Sequence, residues 1–176
     1  MTVMNLSINN NIVGPIEVDP EIMMIEFLHE YLNLTGTKFG CGGGICHACV
    51  ILVEDEQGML KTERTCIHNA LVFNGKKVHT IEGHATKDKY GEIIALHPVQ
   101  ESFSKHFSFQ CGWCTSGFMN ETIALIQRLK KDPIKKTDVE TTIEAALGEH
   151  ICRCTGYVKY YQSAKDLILS IKGLTK

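Results

Sequence analysis

The sequence predicts two domains, an α+β domain over residues 1–83 and an all-α domain over residues 84–176. In the first domain, apolar residues alternate or form short runs between turn residues, as they do in small β-sheets. Beyond a polar stretch at residues 83–91 they recur at three- and four-residue steps, which is typical of amphipathic helices. A chain of 176 residues can form two such domains, and we place their boundary in the polar stretch.

The α+β domain is expected to begin with a β-hairpin over residues 3–18. Apolar residues partly alternate with polar ones from Val3 to Ile8, and three consecutive asparagines then supply a turn. Asp19 followed by Pro20 is a typical helix start, because the carboxylate can cap the helix and proline is favoured at its first position. We therefore expect one helix from this point to just before Gly36.

Two further strands complete the predicted sheet. Residues 50–53 form a continuous apolar run that ends at a polar turn, which indicates a buried strand. Residues 78–81 are the second candidate. The first domain is thus predicted to be a small sheet covered by one helix.

Four amphipathic segments form the second domain. A small helix bundle is the expected arrangement for four consecutive helices. Thr137 and Glu140 have the spacing of a capping box at the start of the third helix. The predicted helices cover residues 97–106, 115–131, 138–147 and 158–172.

Composition excludes several classes of function. The formal net charge is −2, whereas nucleic-acid-binding domains are usually strongly basic. No segment is apolar over the length of a membrane span, and the first residues do not resemble a signal peptide. We expect a cytoplasmic protein, or a periplasmic one if a signal peptide has been removed. In a reducing compartment, the eight cysteines are expected to be metal ligands or redox groups and not disulfides.

The first four cysteines have the spacing C-x4-C-x2-C-x16-C. Its first part matches plant-type ferredoxins, in which one loop surrounds a [2Fe–2S] cluster and a distant fourth cysteine completes the ligand set. Glycines surround the first cysteine at positions 40 and 42–44, where they allow the backbone to approach the cluster closely. Zinc is the alternative, but thiolate zinc sites usually have two C-x2-C pairs and this set has one. The expected ligands are Cys41, Cys46, Cys49 and Cys66.

The second set consists of a C-x2-C pair and a C-x-C pair separated by 37 residues of mostly helical pattern. Each pair lies beside a predicted helix, so two helix ends can bring four thiolates together. By itself this spacing fits either zinc or an iron–sulfur cluster. The expected ligands are Cys111, Cys114, Cys152 and Cys154.

The sequence around the second set resembles a known family. Residues 110–118 (QCGWCTSGF) and 151–157 (ICRCTGY) resemble the two signature segments of the iron–sulfur subunit of molybdenum hydroxylases, the family of xanthine dehydrogenase, aldehyde oxidase and carbon monoxide dehydrogenase. Residues 40–50 resemble its first cluster loop, and residues 97–100 resemble the segment before the second. The resemblance covers nearly the whole chain in the same order.

The resemblance implies an amino-terminal plant-type ferredoxin-like (β-grasp) domain and a carboxyl-terminal four-helix domain, each with one [2Fe–2S] cluster. It also implies that Gln110 and Cys154 lie near the pterin of a molybdenum cofactor on a partner subunit. Gly156 and Tyr157 would be structural parts of the motif.

By the same resemblance, the chain is the electron-transfer subunit of a larger oxidoreductase. The partners would be a large subunit that binds molybdopterin and molybdenum, and a medium subunit that binds FAD. Electrons would pass from the pterin through both clusters to FAD or to another acceptor, and the bond-making site would lie on another subunit. The expected substrate is an aldehyde, with an N-heterocycle, a purine or carbon monoxide as alternatives. A free two-cluster ferredoxin that shuttles electrons is the other reading.

Three residues depart from the pattern of the resembled family. His47 stands where the loop commonly has glycine, and we expect either a solvent-facing imidazole or one hydrogen-bonded to the cluster. Ser116 replaces a frequent proline and His150 a frequent asparagine, and neither is expected to affect ligation.

Trp113, the only tryptophan, is expected to pack against the domain core or a partner.

Overall fold

A computed structural model describes all residues from Met1 to Lys176 and contains one mixed sheet and one group of helices. The sheet has five strands in the order β2-β1-β5-β3-β4, in which β1 and β5 are parallel and all other neighbours are antiparallel. The hairpin and both further predicted strands are confirmed. The strands are β1 (Thr2–Ile8), β2 (Asn11–Val18), β3 (Val50–Glu54), β4 (Leu60–Arg64) and β5 (Lys77–His79).

Strand β3 is buried on both faces, which explains its continuous apolar sequence. Ile51 and Val53 point into a core with the hairpin and the covering helix. Leu52 points to the opposite face and belongs to the core of the helical domain. Strand β3 therefore contributes side chains to the cores of both domains.

The covering helix begins later than its sequence predicts. It starts at Met24 (α1, Met24–Glu26) and continues as a π-helix over Phe27–Tyr31. The Asp19 carboxylate instead accepts the backbone N–H of Glu21 at 2.9 Å in a short turn. The prediction of a start at Asp19 is wrong because the backbone at Ile22 and Met24 pairs with residues 68–70, which keeps it out of a helix.

All four predicted helices of the second domain are present. Helices α2 and α5 pack on each other, and α3 lies between the other helices and the sheet. The helices are α2 (Pro98–Lys105), α3 (Thr115–Lys131), α4 (Val139–Leu147) and α5 (Val158–Ser170).

The predicted capping box at Thr137 is wrong. Helix α4 begins at Val139 after a 3-10 turn, and the Thr137 hydroxyl donates to the Asp138 carboxylate at 2.8 Å. A capping box does form at α2, where the His97 imidazole accepts the N–H of Val99 and the Gln100 side chain accepts the N–H of His97. An imidazole thus performs the capping role usually taken by a hydroxyl or carboxylate.

The polar stretch chosen as the domain boundary contains the first strand and the turn of a small hairpin. Its strands are β6 (Thr86–Lys87) and β7 (Ile93–Ala95), and they form a separate two-stranded sheet. The boundary between residues 83 and 84 remains a prediction. None of the helices in the chain is both long and apolar enough to cross a membrane.

Polar side chains of α3 join the helical domain to the sheet. Asn120 is fully buried and donates to the carbonyl of Val50 at 2.7 Å. Two turns further along, the Gln127 side chain accepts the N–H of Leu60 at 2.6 Å and donates to the carbonyl of Gly58 at 3.1 Å. A Cβ atom at Gly117 would overlap the carbonyl oxygen of His47, so the backbone of α3 is in direct contact with the cluster loop at this position.

His84 is expected to make stability depend on pH. Its Nε2 atom lies 2.8 Å from the Asn120 side-chain oxygen, and burial lowers its pKa to about 4 although this hydrogen bond acts in the opposite direction. In the unfolded chain this histidine takes up its proton near pH 6.5. The contribution of neutral His84 to the free energy of unfolding is therefore complete above that pH and is lost as the pH falls from about 6.5 towards 4.

The test compares wild type with His84→Gln between pH 8 and pH 5.5. The wild type should lose about 1 kcal/mol more stability over this interval, which corresponds to a melting temperature lower by roughly 2–4 °C. Thermal unfolding followed by circular dichroism measures the difference. An equal fall in melting temperature for both proteins would assign the pH dependence to other groups.

Candidate cluster-binding sites

The first cysteine loop is shaped to hold Cys41 as a thiolate. Its Sγ atom accepts three backbone N–H groups, those of Gly43, Ile45 and Cys46, at 3.3–3.4 Å. These bonds, the one from Cys46 most of all, lower the pKa of the Cys41 thiol to about 6. Metal binding requires the deprotonated sulfur, so the loop prepares this ligand before a metal is present.

Glycine is required in this loop for two physical reasons. At Gly40 a Cβ atom would lie 2.8 Å from the Sγ atom of Cys46, so a side chain would displace the sulfur. Gly44 has a φ of +71°, a conformation that other residues adopt at a cost. The structure therefore requires glycine at these two positions, as the sequence predicts.

Cys49 and Cys66 form the inner side of the first set. Both are buried, and burial is the main reason that the pKa of the Cys49 thiol rises to about 11. The carbonyl of Cys49 accepts the N–H and the hydroxyl of Thr65 at 3.3 and 2.9 Å, which holds the strand ends together.

The second set lies where α3 begins and where the chain leaves α4. Cys114 immediately precedes α3 and is buried together with Cys152. Cys111 and Cys154 are exposed, and their Sγ atoms lie 3.5 Å apart. Each predicted set therefore contains two buried cysteines and two on the more exposed side.

Hydroxyl groups around the second set were not anticipated from the sequence. The Tyr160 hydroxyl lies 2.8 Å from the Thr115 hydroxyl and 3.6 Å from the Cys114 sulfur. The Thr155 hydroxyl lies 3.1 Å from the Cys152 sulfur. Thr155 belongs to the signature segment and could have been suspected, whereas Tyr160 reaches the site only through the packing of α5.

The pKa values of the buried thiols follow from these contacts. Burial raises the pKa of the Cys114 thiol to about 11. Burial also acts to raise the pKa of Cys152, but hydrogen bonds from Thr155 and the neighbouring backbone outweigh it, and the net shift is downward. The Tyr157 hydroxyl accepts the N–H of Cys152 at 3.2 Å, which supports the structural role expected for Tyr157.

The sulfurs approach one another in pairs, and no three potential ligands converge on one point. A zinc ion would gather four thiolates around a single centre, whereas a two-iron cluster needs two thiolates on each iron. The donor sets therefore fit [2Fe–2S] clusters. The pairs are Cys41 with Cys46, Cys49 with Cys66, Cys111 with Cys154, and Cys114 with Cys152.

Gln110 is exposed and directly precedes Cys111, so it lies on the exposed side of the second set. Trp113 is only partly packed: half of its surface is exposed, and its indole N–H donates to the carbonyl of Phe39 at 2.8 Å. The ammonium group of Lys38 lies over the indole ring at 5.5 Å. The Trp113 side chain thus links the second cysteine loop to the residues just before the first cysteine loop.

His47 is neither solvent-facing nor hydrogen-bonded to a cysteine. Its side chain is 11% exposed and points towards Arg64 and the end of α4, where its ring meets the edge of the His150 ring. Burial, and secondly the charge of Arg64, lower the pKa of His47, so Nε2 stays free to accept from the Arg64 guanidinium at 3.2 Å. The expectation of a solvent-facing imidazole is therefore wrong, and a hydrogen bond from His47 to the cluster stays a prediction.

Two family models match the chain, one over each cysteine set. A 2Fe-2S iron-sulfur cluster binding domain matches residues 14–70, and a [2Fe-2S] binding domain matches residues 80–165. The zinc alternative for either set is thereby excluded, and the prediction of two [2Fe–2S] clusters is confirmed.

The matching relatives are redox enzymes and their subunits. The chain is 34% identical over 157 residues to the beta subunit of the 6-hydroxypseudooxynicotine dehydrogenase complex of Paenarthrobacter nicotinovorans, covering 89% of this chain and 88% of that subunit. It is 38% identical over 155 residues to aldehyde oxidase 1 of Rattus norvegicus, covering 85% of this chain but 11% of that protein.

A solved structure shows the same fold. The crystal structure of quinoline 2-oxidoreductase from Pseudomonas putida 86 superposes with a TM-score of 0.75 at 27% identity, over 94% of this chain and 91% of the matched chain. The expected order of a ferredoxin-like domain followed by a helical domain is confirmed. The chain belongs to the family of two-cluster iron–sulfur subunits of the molybdenum hydroxylases.

Proposed function

We propose that this chain carries electrons through a multi-subunit molybdenum hydroxylase, with Cys41, Cys46, Cys49 and Cys66 as ligands of cluster 1 and Cys111, Cys114, Cys152 and Cys154 as ligands of cluster 2. One observation carries the proposal. The N–H of Ile151 donates to the carbonyl of Cys46 at 3.2 Å, and Ile151 directly precedes Cys152. Covalent bonds and this one hydrogen bond thus join a ligand of cluster 1 to a ligand of cluster 2.

The exposure of the cysteines supports a direction of electron transfer through the chain. Cys111 and Cys154 are exposed on one side of cluster 2, beside Gln110, and this side would face the pterin of a large molybdenum-binding subunit. Cys41 is exposed at cluster 1, and this side would face FAD on a medium subunit or another acceptor. When bound, each cluster takes up and releases one electron.

The chain's own residues hold the clusters in series and tune their potentials. Hydrogen bonds to sulfur are present at both Cys41 and Cys152, and burial acts in addition at Cys152. The chain has no nucleotide-binding glycine motif, and all of its cysteines are assigned as ligands, so the bond-making site would lie on the large subunit.

The proposed substrate of the complex is an aldehyde, with an N-heterocycle or a purine as the alternative. Several similar proteins are named aldehyde oxidases, which supports the first reading. The relatives matched over nearly their full length are named for a pseudooxynicotine and for quinoline, which supports the second. Turnover of a panel of aldehydes and N-heterocycles by the native complex, with an artificial electron acceptor, distinguishes the two.

Native purification with metal analysis tests the function itself. We expect a red-brown heteromer with about four irons and four acid-labile sulfides per copy of this chain, together with molybdenum in the complex. A coloured protein that elutes alone without molybdenum would instead be a free two-cluster shuttle. Material without acid-labile sulfide would refute the ligand assignment.

A further inference from the structure

His47 occupies a costly backbone conformation at the point where the two cluster sites meet. Its φ is +59°, a region that residues with a side chain rarely adopt. Glycine would fit this position without strain, so the ring at position 47 is retained at an energetic cost. The ring is also the part of the loop that reaches out of the first domain.

One set of contacts ties the His47 ring to the first cluster site. The Arg64 guanidinium donates to His47 Nε2 at 3.2 Å and to the carbonyl of Gly44 at 3.0 Å. Arg64 lies at the end of β4, two residues before Cys66. The ring therefore completes a bridge between the glycine loop and the strand that delivers the fourth cysteine.

A second set of contacts ties His47 to the other cluster site. Its ring meets the His150 ring edge-on, with centroids 4.9 Å apart, and a Glu149 carboxylate oxygen lies 3.5 Å from Nε2. His150 is fully buried, two residues before Cys152, and packs on the ring of Phe118 at 4.6 Å. The backbone of His47 is in contact with Gly117 of α3.

The segments that contact His47 therefore lead to ligands in both sets. Arg64 precedes Cys66, Gly117 follows Cys114, and His150 precedes Cys152; His47 itself lies between Cys46 and Cys49. No other side chain of the first loop has contacts of this kind with the helical domain, since Ile45 is exposed and Ala48 has only a methyl group. A substitution at position 47 would therefore change contacts at both cluster sites without removing a ligand from either.

We propose that His47 is a positioning residue, which fixes the first cluster loop against the ligand segments of the second cluster and thereby sets the separation and relative orientation of the two clusters. This inference rests on the ligand assignment given under the proposed function. The iron and sulfide content of the wild-type protein tests that assignment independently.

The test replaces His47 by glycine, which removes the ring and accepts the positive φ. Asn33→Gly is the matched control, because Asn33 is an exposed residue with a φ of +53° that lies outside this junction. Both variants relieve the same kind of backbone strain. Any difference between them is therefore caused by the loss of the imidazole contacts.

The readout is the magnetic interaction between the two reduced clusters, measured by EPR spectroscopy on the purified holo-complex. This interaction depends on the distance and orientation between the clusters and does not depend on turnover. We expect His47→Gly to retain the wild-type iron and sulfide content and to show a shifted or lost spin–spin splitting, while Asn33→Gly keeps the wild-type splitting. His47→Asn should restore part of the splitting, because an amide can accept from Arg64 and asparagine tolerates positive φ.

Two results would overturn the proposal. The first is an unchanged splitting in His47→Gly with both clusters present. The second is the loss of a cluster from both His47→Gly and His47→Asn, because the ring would then serve cluster assembly and not cluster placement.

Discussion

Replacement of Cys46 by serine is expected to remove one cluster and leave the other, lowering the iron content from about four to about two per chain. A serine hydroxyl stays protonated at neutral pH and does not replace a thiolate ligand. The second cluster should persist because its ligands lie just before α3 and on the segment after α4, and these helices have a buried core of their own. The carbonyl of Cys46 that accepts from Ile151 is also unchanged by the substitution.

Iron and sulfide analysis with EPR of the reduced protein measures this result. Ile45→Ser is the control, since it places serine in the same loop at an exposed position without removing a sulfur. Cys114→Ser should give the reciprocal result, with cluster 2 lost and cluster 1 retained. If either cysteine variant lost both clusters, the two sites would have to load as one unit, and the two-domain division would be wrong.

Replacement of Gly117 by alanine is expected to destabilise the protein, although alanine normally favours a helix by up to about 1 kcal/mol over glycine. The added methyl group would overlap the carbonyl oxygen of His47, so α3 would have to move away from the first cluster loop. Overpacking of this kind costs about 1–3 kcal/mol, or more where backbone must shift. The junction between the domains should therefore weaken.

The melting temperature of the holo-protein measures this effect at a fixed scan rate. We expect Gly117→Ala to fall by roughly 5–10 °C. Ser116→Ala is the matched control at the neighbouring position of the same helix, because its hydroxyl makes only a 3.5 Å contact with the carbonyl of Ala48. An unchanged or raised melting temperature in Gly117→Ala would show that the contact between α3 and the loop is not tight.

The helices and the chemistry of the sites could be predicted because both are encoded locally. Cysteine spacing and adjacent glycines define a cluster loop within a dozen residues, and helical periodicity repeats within each segment. The four helices accordingly agree with their predicted positions to within two residues at each end. Strand β3 was found for a related reason, since burial on both faces leaves an uninterrupted apolar run.

The errors occur where distant parts of the chain compete with local preference. Asp19 and Pro20 form a favourable helix start, yet pairing of residues 22–24 with residues 68–70 delays the helix to Met24. Strand β4 was not predicted because its sequence, Leu60–Arg64, is mostly charged and only half-buried. It becomes a strand because it pairs with β3 along its whole length.

The sequence by itself determined an α+β domain followed by helices and two sets of four cysteines, which it predicts to be cluster ligands. Only the tertiary structure decided how the two sets face each other: through the bond from Ile151 to Cys46, the contact of Gly117 with His47, and the indole of Trp113 on Phe39. These contacts join residues about 70 to 105 positions apart, and no local pattern reports them. Their geometry follows from the packing of α3 against β3, which depends on the whole fold.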